Sequence, residues 1–174
     1  MPRRIAALVS LSAAVALVAA APAGAKLVSG EQTLVDPDAG TYTMAGSLVG
    51  DWAITSFTEL ATEPVYRAEG TEKFKGCLDR DGDGSCKGEP KGKLFFSFRY
   101  WASVADDGSL ELGTCAHPVT KGKGDFRKAK GFLMFVDTPT AEPPFFQETE
   151  YEGIINLKHR RSAKTRTAAA QGSC

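Results

Sequence analysis

Histidine is almost missing from this chain. Only His117 and His159 occur in 174 residues, which excludes a zinc centre built on several histidines. No Gly-x-Ser-x-Gly elbow, phosphate loop or dinucleotide fingerprint is present, so three common enzyme signatures are absent. A serine triad would need His117 as its base, and nothing points to a serine nucleophile. The sequence favours a structural role for His117, at a strand end before Pro118. No motif calls for a cofactor. Net charge is lacking too, since 21 basic residues balance 21 acidic ones. Long segments with apolar residues three and four apart are also missing, which leaves little room for helix.

Charge and hydropathy are distributed unevenly. Arg3 and Arg4 precede an apolar run from Ile5 to Ala21, and Ala23-Gly24-Ala25 has the small-x-small form of an export cleavage site. The run is short and is followed by Pro22, which argues against a membrane anchor. The expected division is a signal peptide over 1–25, a lead-in over 26–40, a β domain over 41–157 and a basic tail over 158–174. Cleavage after Ala25 would leave 19 basic against 21 acidic groups, net −2. Without the five cations of the tail, Lys158, Arg160, Arg161, Lys164 and Arg166, the body holds 14 basic against 21 acidic groups. An acidic body argues against nucleic acid as a partner. The expected location is outside the cell.

All four cysteines, Cys77, Cys86, Cys115 and Cys174, follow the export signal, and an oxidising compartment favours disulfides. Four cysteines allow three pairings. Cys77 with Cys86 is favoured, because the glycine-rich link between them can turn back on itself. Cys115 is left to pair with Cys174 or to stay free.

What is present in quantity is period-two alternation broken by Gly, Pro, Asp and Ser. Strands are predicted at Tyr42–Val49, Trp52–Leu60, Val65–Lys75, Lys93–Val104, Ser109–Cys115, Ala129–Val136 and Phe145–Leu157, with a hairpin turn at Asp106-Asp107-Gly108-Ser109. About seven strands with short links imply a sandwich or a closed barrel. On Lys93–Val104 the purer apolar set, Leu94, Phe96, Phe98, Tyr100, Ala102 and Val104, is assigned inward. Phe95 and Trp101 then face outward and hint at a covering segment or a subunit contact. On the last strand Glu148, Glu150 and Glu152 share the wet face, and Tyr151, Gly153, Ile155 and Leu157 share the buried one.

The run HPVTKGKGDFRKAKG, His117 to Gly131, resembles the glycine-rich segment of dirigent proteins and related allene oxide cyclase-like barrels, through Gly122, Gly124, Asp125, Phe126, Ala129 and Gly131. GTEKFKGCLD, LFFSFRYWA and GTCAHPVT resemble stretches of secreted bacterial members, and together these cover most of Gly40–Leu157. The resemblance implies an all-β fold, an eight-stranded antiparallel β-barrel. It also implies a cavity that holds a small hydrophobic or phenolic molecule, and a possible homo-oligomer. It carries no catalytic set onto this chain. In physical terms, Gly122 and Gly124 permit positive φ in a loop, Phe126 can fold back as a plug, and Gly131 clears room for a neighbour.

Candidate chemistry centres on Glu72. In VYRAEGTEKFK it is the one charge on the parity of Tyr66, Ala68, Gly70 and Phe74, unless a bulge at Gly70 switches the parity. An inward carboxyl among apolar groups would have its pKa raised by desolvation, as a general acid or base near neutral pH needs. Three functional readings stay open: a binding barrel, an isomerase or cyclase using Glu72, and a packed barrel acting through its surface. Tyr42, Tyr66, Tyr100 and Tyr151 are all predicted inward, as ligand contacts or as core. Arg99 is placed outward, and only an inverted parity would bring it to Glu72.

In GCLDRDGDGSC, Asp79, Asp81, Asp83 and Gly84 match positions one, three, five and six of an EF-hand calcium loop. Lys87 and Pro90 break the match at nine and twelve. A weak calcium site stays open, but no metal is assigned. The aspartates read mainly as turn chemistry inside a disulfide-closed loop, which stabilises by about 2.7 kcal/mol in the chain-entropy picture. If that staple positions a site, the expected site is the barrel mouth beside it.

Overall fold

The computed structural model describes residues 25–62, 64–106, 110–137 and 148–157. The signal segment up to residue 24, the basic tail, Cys174 and most of the predicted turn after Asp106 lie outside these residues. Eight strands follow one another: β1 Ala25–Asp36, β2 Thr41–Gly46, β3 Leu48–Ala61, β4 Val65–Leu78, β5 Lys91–Val104, β6 Leu110–Gly124, β7 Lys130–Asp137 and β8 Glu148–Asn156. Each pairs antiparallel with the next, and β1 pairs with β8, so the sheet closes into a barrel and leaves no free edge.

Closure needs a strand that the sequence reading passed over. The stretch expected as a lead-in, 26–40, is mostly β1, and it runs from Ala25↔Asn156 to Thr33↔Glu148 against β8. Its alternation is weak because its outward side holds Leu27 and Val35, so both faces look apolar in places. The expected strand Tyr42–Val49 is two strands. Gly46 adopts φ 94°, and a Cβ there would lie 2.6 Å from the Ser29 carbonyl oxygen, so the chain turns at Ser47.

The expected parities hold on the long strands. Leu94, Phe96, Phe98, Tyr100 and Ala102 are buried, whereas Trp101 stays 39% exposed. Phe95 faces outward beneath the Lys123 ammonium. The register slip near Glu72 falls on β3, between Ile54 and Ser56, and not at Gly70. β4 therefore keeps its alternation from Val65 to Leu78, and Glu72 points inward.

The two barrel ends differ. At one end Leu48, Phe74, Leu78, Leu94 and Phe126 are all under 2% exposed. Phe126 sits in the β6–β7 turn and folds back as the expected plug, with its ring 6.3 Å from that of Phe74. Gly131 answers the other expectation: at φ 150°, a Cβ there would lie 1.9 Å from the Ile154 carbonyl oxygen. The Cys77–Cys86 disulfide, with Cα atoms 5.5 Å apart, also belongs to this closed end. That corrects the expectation that the staple borders the mouth. β4 enters the barrel at Val65 beside the open end and leaves it at Leu78, opposite Leu48.

The aspartate loop is held by its own amides. Asp79 accepts hydrogen bonds from Gly82 N and Gly84 N, both 2.8 Å, and Asp83 accepts one from Ser85 N at 2.7 Å. Ligand oxygens of Asp79, Asp81 and Asp83 come within 4.8 Å of one another. The Gly84 amide is the main influence drawing the Asp79 carboxyl below its ordinary range, while the bond it shares with Asp79 raises Asp81.

Candidate functional site: a half-open barrel cavity

The open half of the barrel contains a cavity of about 290 Å³. All eight strands contribute residues to it. The aromatic walls are Tyr42, Phe57, Tyr66, Phe98, Tyr100 and Phe135, with Ile54 beside them. The polar lining is Gln32, Glu72, Cys115, His117, Asp137 and Thr149. Tyr66 and Tyr100 meet edge to face at 5.9 Å, and Phe57 lies 6.2 Å from Phe98. Trp52 forms the floor: it stacks on Phe96 at 4.7 Å and presents an edge to His117 at 5.8 Å.

Glu72 lies where its parity places it, 7% exposed, but its partner is not an arginine. Arg99 faces out, and His117 meets Glu72 with Nδ1 2.5 Å from Oε2. This corrects the placement of His117 at a strand end. β6 runs unbroken through Pro118 to Gly124, so His117 sits in mid-strand, 4% exposed, on the inward parity of Gly113, Cys115 and Val119. Pro118 is tolerated because it points outward and pairs with Phe132 without needing an N–H.

The geometry orients the imidazole. Its Nδ1 is committed to Glu72, and its Nε2 is buried with no hydrogen-bond partner among the described residues. A buried polar atom without a partner is uncommon in a folded protein and calls for an explanation. Nε2 is an acceptor when the ring is neutral and a donor when it is charged. A hydroxyl, which can donate and accept, satisfies it in either state.

The other polar groups sit nearer the mouth. Asp137 ends β7 and accepts a 2.6 Å hydrogen bond from Thr149 Oγ1. Burial raises its pKa, and the Glu72 carboxyl adds to the rise. Burial, followed by the Glu72 and Asp137 charges, pushes the Tyr42 hydroxyl up to about 12. Burial is also the main cause raising the Tyr100 hydroxyl and the Cys115 thiol, so both stay protonated at neutral pH. Cys115 carries no disulfide among the described residues, and its other expected partner, Cys174, lies outside them.

Of the four tyrosines expected at the site, three line the cavity. Tyr151 is placed below it. Its hydroxyl accepts from Leu48 N at 2.8 Å and donates to the Ala45 carbonyl at 3.0 Å, which ties the β2–β3 turn to β8. Sequence reasoning missed Asp137, Thr149, Gln32 and the part played by His117. For His117 the signal was available, in the alternation from Gly113 to Val119.

No protein-family model and no curated protein sequence matches this chain.

Proposed function

We propose that the protein is an exported barrel that binds a small hydrophobic or phenolic molecule in its half-open cavity. The observation that carries this reading is the buried, unpartnered Nε2 of His117, held by Glu72 at the floor of an aromatic-walled space. A few convergent polar groups in an otherwise apolar concavity are the usual composition of a ligand site, and about 290 Å³ suits a ligand with a single ring. The closed eight-stranded antiparallel barrel supports placing the chain among the allene oxide cyclase-like and dirigent-like barrels. The Cys77–Cys86 disulfide supports export. No helix among the described residues is long and apolar enough to cross a membrane.

The test is calorimetric titration with p-ethylphenol. The expected result is saturable one-to-one binding that Ile54→Trp abolishes by filling the cavity. No heat at millimolar probe, or equal binding by the filled variant, would remove the proposal.

The same dyad supports a second reading, an isomerase or cyclase. A ring nitrogen fixed by a carboxyl on its far side is the usual arrangement of a proton-transferring base. In this reading His117 moves the proton and Glu72 orients it. A Glu72→Gln variant with unchanged turnover of a bound ligand would end it.

A further inference from the structure

The cavity holds two carboxyls, and among the described residues no lysine or arginine lines it. Glu72 is satisfied by His117. Among the described residues, the hydrogen-bond partner of the Asp137 carboxyl is the neutral hydroxyl of Thr149, at 2.6 Å. A half-buried carboxyl in such a place either stays protonated or takes up a cation. The neighbouring walls are rings: Tyr42, Tyr66 and Tyr100 line the same cavity. Aromatic faces beside a carboxyl attract a positive charge and repel a negative one.

From this juxtaposition, the Asp137 carboxyl within an aromatic cavity lined by no described lysine or arginine, we propose that the natural ligand carries a positive charge: it is an arylalkylamine, an aromatic ring bearing an aliphatic ammonium, with that ammonium at Asp137. This rests on the cavity being a ligand site and narrows the chemistry of what enters it. It separates the ligand from fatty acids and phenolic acids, whose carboxylates would meet two carboxyls, with the one imidazole already committed to Glu72.

The surface is arranged in the same sense. Every lysine among the described residues lies on the half of the barrel toward the closed end, from Lys26 and Lys73 to Lys128 and Lys130. The strand ends and turns around the mouth carry Asp36, Asp38, Glu59, Asp106 and Glu111, and the basic residues described on that half are Arg67 and Arg99. A cation approaching the barrel is drawn toward the open end. Inside, the two carboxyls add to burial in holding the Tyr42 and Cys115 protons, so the field within the cavity has the same sign.

Three probes with one ring and different charges test this: tyramine, p-ethylphenol and 3-(4-hydroxyphenyl)propionate, titrated by calorimetry at neutral pH and moderate salt. Tyramine should bind about tenfold more tightly than p-ethylphenol, the equivalent of one well-placed charge contact, and the propionate more weakly than either. Asp137→Asn should bring the ratio of tyramine to p-ethylphenol affinity close to one. Equal binding of tyramine and p-ethylphenol by the unaltered protein would overturn the charge assignment and leave the cavity reading standing. Binding of none of the three would remove both. A tyramine preference that survives in Asp137→Asn would move the cation away from Asp137 and overturn the inference as stated.

Discussion

Replacing His117 with leucine should cost the barrel about 3–5 kcal/mol of stability in urea denaturation, the range for breaking a buried pair by removing one partner. The substitution keeps the volume roughly constant, so little of this cost is cavity. Most of it comes from Glu72, which at 7% exposure keeps a buried carboxyl with its imidazole partner gone. Glu72→Gln should cost less, because an amide is neutral and can still meet Nδ1. The double variant Glu72→Leu, His117→Leu should recover most of the stability lost by His117→Leu alone, since an apolar pair of similar volume leaves nothing unpaired. That non-additivity is the signature of a coupled buried pair. A single-variant cost below about 1 kcal/mol, or a double variant as unstable as the sum of the two single changes, would show that the two side chains do not depend on each other.

The second large effect lies at the other end of the barrel. Phe126→Ala should cost about 3–5 kcal/mol, the range for truncating a fully buried aromatic side chain. Phe126 is 0% exposed, and its ring closes the lumen over Phe74. Collapse around the gap is resisted, because the turn is held by Ala129 N on the Phe126 carbonyl and by the close approach of that carbonyl to Gly122. The two ends are physically separate, with the packed layer of Trp52, Phe74 and Phe96 between plug and cavity. Phe126→Ala should therefore lower the urea midpoint and leave the affinity for p-ethylphenol within about twofold at low temperature, where the protein stays folded. A variant that stays stable yet loses binding would contradict this division of the barrel into a structural end and a binding end.

Much of the architecture was legible because period-two patterns report directly which side of a wall faces in. The alternation in KLFFSFRYWASV and VYRAEGTEKFK placed Phe96, Phe98, Tyr100 and Glu72 in the lumen, and the structure has them there. Gly131 and Phe126 were readable from glycine sterics and a lone aromatic in a polar turn. What escaped has physical reasons. β1 carries exposed Leu27 and Val35, and so showed no clean wet face. His117 was obscured by Pro118 and by the glycines beyond it, which resemble a loop in one dimension. In the barrel Pro118 faces outward, and Gly122 and Gly124 are not in a loop but close β6 itself, with only Gly124 at positive φ, 67°. Asp137 and Thr149 were invisible as a site because their contact joins β7 to β8 across a connection whose length says nothing about register.

The loop GCLDRDGDGSC also changes meaning. Its aspartates and cysteines organise the closed end, where Asp79 receives two amides and Lys26 Nζ donates to the Asp79 carbonyl at 3.1 Å. That anchors the start of β1 against the end of β4. The staple therefore supports the end of the barrel that carries the packing, and the chemistry sits at the far end.

The central claim is that the cavity is a ligand site organised by Nε2 of His117. Nitrogen-15 NMR of the imidazoles during the p-ethylphenol titration tests it most directly, since His159 in the tail is the only other histidine and serves as the internal control. The account predicts that the Nε2 resonance of His117 moves with saturation as it takes the phenol hydroxyl, that Nδ1 stays bonded to Glu72, and that His159 is unchanged. An Nε2 resonance that stays still while p-ethylphenol saturates the protein would contradict the account.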